Sequence, residues 1–313
     1  MPPTPPALPH DPSWPRAGGW PALAQTAGQL DAVLVGLGTH ATSLSPTSAH
    51  TTPPAVREAL QRYSPHAYDP ATPISDLRIA DAGDASDPDG DERGATALVA
   101  RAAERARLVI VLGGDNAATV PAAMGSWGDE LATAGLITID AHHDLRDGRS
   151  NGSPVQRLLD AGLDGSRVVQ IGIQDFANSH AYAERANDAG IHVISRDDLE
   201  LRGVHAAANE ALQVAGAAGG PIHLDVDVDA CDRSVAPGCP ASVPGGISAW
   251  QLRALVRAIV VSPQVRSIDF TEVDAAADAA DGRTVRLVAL GVLEAIAALA
   301  DRDEQRFPAL RAV

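Results

Sequence analysis

The 313-residue chain contains no lysine; all 24 of its basic residues are arginine. That absence excludes Schiff-base chemistry on a lysine and the phosphate-binding loop that ends in Gly-Lys. Gly113-Gly114 is therefore read not as a phosphate cradle but as a place where the backbone passes close to a bound ion. Cysteine is nearly as scarce. Cys231 and Cys239 lie eight apart in one loop, which is neither a secreted disulfide framework nor a zinc motif, so free thiols are expected. Aromatics are 3% of the chain, and the core must be built from Ala, Val, Leu and Ile. No apolar run reaches the length of a membrane span, and the Pro-rich start has neither the basic nor the apolar region of a signal peptide. A cytoplasmic location is expected. A net charge of −16 leaves no basic footprint for nucleic acid or an anionic membrane surface, so the partner expected is a small molecule.

What is present is two apolar strands that open into aspartates. Ile137-Thr138-Ile139 leads directly into Asp140-Ala141-His142-His143-Asp144. If extended geometry continues past the strand end, Asp140, His142 and Asp144 point the same way and His143 points away. Some 85 residues on, Ile222-His223-Leu224-Asp225-Val226-Asp227-Val228-Asp229 repeats the pattern. Carboxylates crowded together repel or stay badly desolvated unless a cation sits among them. A lone Asp-x-Asp at a strand end is ordinarily a solvated turn, but two such clusters on apolar strands point to metal. Four carboxylates and one imidazole suit Mn²⁺ better than a thiolate-type zinc site, and shared carboxylates suggest a two-metal centre.

Residues 1–28 read as a flexible Pro-rich segment and 29–313 as a single domain. Strands are expected at 32–37, 77–79, 108–112, 136–139, 168–173, 192–194, 222–228 and 265–271. Helices are expected at 54–63, capped by Thr51-Thr52, and at 94–105, 116–124, 154–161, 179–189, 197–215, 249–261 and 284–300. Such alternation means a parallel α/β sheet, with ligands at the carboxyl ends of its strands. Four strands end in polar motifs: Gly114-Asp115-Asn116, Asp140 to Asp144, Asp227-Val228-Asp229 and Asp269-Phe270-Thr271-Glu272. They are expected to share one edge. Asp225 is read as supporting the ligands from behind, and His40 and His223 as packed histidines.

Together these motifs resemble the ureohydrolase family of arginase, agmatinase and formimidoylglutamase, over residues 32–300. Asp140-Ala141-His142-His143-Asp144 looks like its Asp-Ala-His-x-Asp motif, and Asp227-Val228-Asp229-Ala230-Cys231-Asp232 its Asp-x-Asp-x-x-Asp element. Glu272 in Thr271-Glu272-Val273 looks like the glutamate that holds the substrate's amidine group. The resemblance implies a three-layer α/β/α sandwich with a mostly parallel central sheet (arginase-like), a binuclear Mn²⁺ centre, hydrolysis at a C=N carbon, and a homo-oligomer (trimer or hexamer). It implies that Asp140 and Asp227 bridge the metals, that His142 and Asp229 complete one, and that Asp144 completes the other. The family's first metal histidine, in Gly-Gly-Asp-His, is here Asn116. An asparagine carbonyl binds Mn²⁺ more weakly than imidazole, so that ion is expected to be loosely held or absent.

Within the family, Thr42 to Thr47, Arg149-Ser150-Asn151-Gly152-Ser153-Pro154 and Asp232-Arg233 with Ala236 to Pro240 are similar to the formimidoylglutamase branch. Arginases and agmatinases carry a histidine near the position of Asn151. The reaction implied is N-formimino-L-glutamate plus water giving L-glutamate and formamide, a step of histidine breakdown. Asp144 and Glu272 are the expected catalytic groups. Arg146, Arg149 and Asn151, with Glu272, are the expected substrate contacts, since only arginine is available to offset the substrate's carboxylates. Two competitors stay open: an agmatinase or other guanidino hydrolase, and a metal-poor relative that serves as a binding or assembly subunit.

Overall fold

β-Branched and leucine-rich runs alternate with amphipathic segments along the chain, and they fold as that alternation dictates. A computed structural model describes residues 11–68 and 74–306. Its single sheet has eight strands: β1 (Leu30–Leu37), β2 (Ile79–Asp84), β3 (Ala106–Gly113), β4 (Gly135–Ile139), β5 (Val168–Ile173), β6 (His192–Ser195), β7 (Ile222–Asp227) and β8 (Val265–Thr271). The spatial order is β2-β1-β3-β8-β7-β4-β5-β6, and every pairing is parallel.

Helices cover both faces. One layer holds α1 (Thr52–Leu60), α6 (Arg196–Arg202), α7 (Val204–Ala215), α8 (Ala249–Val260) and α9 (Arg283–Arg306), packed side by side. The other holds α2 (Glu92–Ala103), α3 (Thr119–Trp127), α4 (Pro154–Asp160) and α5 (His180–Asp188). Strand residues alternate between the layers. Leu108, Ile110 and Leu112 of β3 join the α1/α9 core, while Val109 and Val111 join the α2 core. The result is a three-layer α/β/α sandwich.

Three local details differ from the sequence reading. The segment 197–215 is two helices, because Gly203 adopts φ 80°, ψ 159° between α6 and α7. Thr51 and Thr52 do not cap α1: their hydroxyls donate to the carbonyls of Ser48 and Val273. The second strand begins at Ile79 and runs on to Asp84, rather than ending there. Residues 1–10 of the Pro-rich start lie outside the described residues. Residues 11–28 run against the body of the protein, with the Ala17 amide donating to the Tyr63 carbonyl and Ala22 bridging to Asp81 of β2.

Candidate metal centre

The four strands that end in polar motifs are contiguous in the sheet, in the order β3-β8-β7-β4. β4 and β7 are direct neighbours, with Ile139 opposite Val226, so the segments from Asp140 and from Asp227 leave the sheet side by side. Their convergence does not come from continued strand alternation. β4 stops at Ile139, and the chain then turns so that Asp144 sits at φ 52°. Beyond β7, Val228–Ala230 forms a 3-10 turn, and the Asp227 carboxylate accepts from the Asp229 amide at 2.9 Å.

Two sets of potential donor atoms result, Asp140 with His142 and Asp229, and Asp140 with Asp144 and Asp227. Within each set the atoms lie within 4.8 Å of one another. Asp140 belongs to both sets and Asp227 to one. Oδ2 of Asp140 and Oδ1 of Asp229 are buried and have no hydrogen-bond partner. An orphaned carboxylate oxygen in a protein interior is costly, and a cation is the group that would satisfy both. Burial opposes charge on the His142 imidazole, but the Asp229 and Asp140 carboxylates beside it override this and push its pKa up to about 12. Burial, followed by the neighbouring carboxylates, pushes Asp144 and Asp227 well up. Asp140 rises to about 6, again chiefly through burial. The donor chemistry therefore fits one or two divalent cations, whose charge would replace the protons that this crowding otherwise demands.

Asn116 is fully buried beside the cluster. Its carboxamide nitrogen donates to Asp144 at 2.6 Å, and its oxygen accepts from the hydroxyls of Thr119 and Thr271. A half-turn of the amide would exchange the two atoms, and both hydroxyls could then accept. His143 turns away from the cluster, though not through strand alternation, and its ring contacts Gln170 at 2.7 Å. His223 is buried between Ser267 and Asp269, while His40 pairs with Asp89. The glycine pair is placed by a contact the sequence did not reveal. A Cβ on Gly114 would meet the Thr39 carbonyl oxygen at 2.0 Å, so the close approach there is chain against chain.

Above the cluster opens a cavity of about 250 Å³, with His142, Asp144, Asp227, Asp229, Glu272 and Arg146 in its wall. Oε1 of Glu272 accepts from the Asn116 amide at 2.9 Å and from the Asn151 carboxamide at 2.6 Å. Both bonds fall on one oxygen, which leaves Oε2 for a ligand. Burial, followed by Asp229, pushes the Glu272 carboxyl up to about 8. Asn151 also accepts from the Leu44 amide, so it ties the 40–47 loop to Glu272. Ser43 of that loop lines the cavity and donates to Asp115. Arg149 is not in the cavity wall; its guanidinium is spent on Glu92 and on the Asp89 carbonyl. Asn178 and Tyr182 of the wall were not singled out from the sequence, since isolated polar residues in a loop and on a helix face carry no spacing signal.

Comparison with known proteins accords with this geometry. Residues 30–298 match the model of the family described as the arginase family. A formimidoylglutamase from Halalkalibacterium halodurans is 32% identical over 78% of this chain and 80% of its own. The crystal structure of formimidoylglutamase from Bacillus subtilis superposes with a TM-score of 0.87 at 27% identity, covering 94% of each chain. The structure of Trypanosoma cruzi formiminoglutamase with Mn²⁺ shares the fold, with a TM-score of 0.78 at 24% identity over 87% of this chain and 94% of that one.

Proposed function

Because the chain belongs to the arginase family, we propose that it hydrolyses N-formimino-L-glutamate to L-glutamate and formamide. Water adds to the formimino carbon, the bond from that carbon to the glutamate nitrogen breaks, and that nitrogen takes up a proton as it leaves. The residues divide the work. Asp140, common to both donor sets, would serve two cations; His142 and Asp229 would hold one, Asp144 and Asp227 would hold the other, and a half-turn of the Asn116 amide would add its oxygen to that second set. The oxygen-rich donor set, and the Mn²⁺ named for the Trypanosoma cruzi relative, support manganese. When bound, such cations acidify water and polarise the C=N carbon. Oε2 of Glu272 receives the cationic formimino nitrogen, held in place by Asn151 and Asn116 through Oε1. Asp144 holds the proton taken from water and delivers it to the leaving nitrogen.

The observation that carries this reading is Arg146. Among the described residues it is the arginine of the cavity wall, and its guanidinium has no carboxylate partner. An unpaired cation at the mouth of an acidic cavity suits a substrate with one cationic end and two carboxylates. It would repel agmatine, which is cationic at both ends. Arg149, spent on Glu92, is assigned no substrate contact. We place the enzyme in the cytoplasm, at a step of histidine degradation, as a closed homo-oligomer of three or six copies.

The test is product identity. Mn²⁺-loaded protein is expected to release formamide from N-formimino-L-glutamate and no urea from agmatine. Faster urea release from agmatine would overturn the assignment. No turnover of either substrate by metal-loaded protein would favour a binding subunit instead.

A further inference from the structure

Three side chains are stacked at the mouth of the cavity. The guanidinium carbon of Arg146 lies 5.9 Å from the centre of the Tyr182 ring, and that of Arg185 lies 5.6 Å from it. Both distances are within the reach of a cation–π contact. Arg185 is fixed independently, since Nη1 donates to the Leu145 carbonyl at 2.6 Å and to the Asp147 carboxylate at 2.8 Å. Arg146 has no such anchor; among the described residues its guanidinium donates to no acceptor. Its stem is confined from below, because a Cβ on Gly152 would lie 2.7 Å from Arg146 Cδ. The Tyr182 hydroxyl makes no hydrogen bond among the described residues. The ring is what both guanidinium groups meet, and it shares the cavity wall with Arg146.

We infer that Tyr182 is a positioning residue. Its ring, backed by Arg185, holds the Arg146 charge over the cavity, where it takes the carboxylate tail of the substrate. An arginine left to rotate loses freedom on capturing a carboxylate, whereas one already seated on a ring loses less. Selectivity for carboxylate-bearing formimino compounds then depends on a side chain that never meets the reacting carbon. This inference rests on the substrate assignment above for the identity of the tail.

The experiment compares wild type, Tyr182→Phe and Tyr182→Leu as full-length, Mn²⁺-loaded proteins with matched melting profiles. Substrates are N-formimino-L-glutamate and N-propylformamidine, which lacks carboxylates. Tyr182→Leu is expected to raise KM for the first by about three- to tenfold, with kcat and turnover of the second unchanged. Tyr182→Phe is expected to match wild type on both. Equal losses on both substrates, an unchanged KM in Tyr182→Leu, or a Phe variant as impaired as the Leu variant would each overturn the inference. Calorimetric binding of L-glutamate supplies the same comparison without turnover. A wild type that binds glutamate but releases no formamide sinks the substrate assignment alone, while glutamate binding equal in wild type and Tyr182→Leu sinks the positioning role.

Discussion

Glu272 combines a left-handed backbone, φ 60°, with a buried carboxyl raised to about 8. Asp144, at φ 52°, pairs the same backbone with a carboxyl that burial pushes well up. A non-glycine residue in that region costs on the order of 1 kcal/mol or more, and it persists where surrounding contacts over-determine it. Here those contacts are the Asn116 amide and the Asn151 carboxamide on Glu272 Oε1. Replacing Glu272 with Gln preserves the shape and an acceptor oxygen while removing the charge meant for the formimino nitrogen. Glu272→Gln is therefore expected to lower kcat/KM by about 100-fold or more without lowering the melting temperature. Steady-state kinetics beside a thermal melt reads both, and a variant that loses stability and activity together would mean that Glu272 is mainly structural. Glu272 was legible in the sequence through its Thr-Glu-Val setting. Its partner Asn151 was legible only as a loop residue, and its grip on Glu272 required the fold that brings positions 121 apart into contact.

At the scale of elements, the strands were readable because their apolar runs are unbroken, and the helix pair α6–α7 was not. Apolar residues keep a helical spacing from Leu199 through Ala215, so nothing in the periodicity marks a break. The break is conformational: Gly203, at φ 80° and ψ 159°, occupies a region that side-chain-bearing residues essentially do not enter. No heavy atom lies within 4 Å of where its Cβ would be, so a substitution there meets conformational strain and no clash. Gly203→Ala is expected to destabilise the fold by about 1–3 kcal/mol, seen as a lower urea midpoint at unchanged slope, with formamide release per folded molecule preserved. An unchanged midpoint would mean that the two helices can merge without strain. The same scale explains the polar face of β7 and β8. His223, Asp225 and Asp227 stand opposite Ser267, Asp269 and Thr271, while Leu224, Val226, Ile268 and Phe270 fill the other layer. The alternation visible in the sequence is thus a buried polar column leading up to the metal cluster, closed at its base by Trp127 against His223.

For the whole molecule, the sequence motifs carried the two aspartate clusters but not the strand order that makes them neighbours; β4 and β7 meet only because the chain crosses the sheet and returns. That meeting has a thermodynamic consequence. Asp140, raised to about 6, and Glu272, raised to about 8, bind protons more tightly in the folded state than in the unfolded chain. Their contribution to stability is complete below the ordinary carboxyl range and is lost as pH climbs through those folded values. His142, raised to about 12, has the same sign: its contribution is full below the ordinary imidazole value and declines as pH rises beyond it. Protein without metal should therefore lose stability from the ordinary carboxyl range up to about pH 8. Bound divalent cations take the place of those protons, so the rise in melting temperature on adding Mn²⁺ should grow across the same window. Self-repulsion from the net charge of −16 acts on both forms, and the difference between them isolates the site. Thermal melts with and without MnCl₂ across that window measure the difference directly. A Mn²⁺ effect that stays constant, or shrinks as pH rises, would mean that the cation is held somewhere other than among Asp140, His142, Asp144, Asp227 and Asp229.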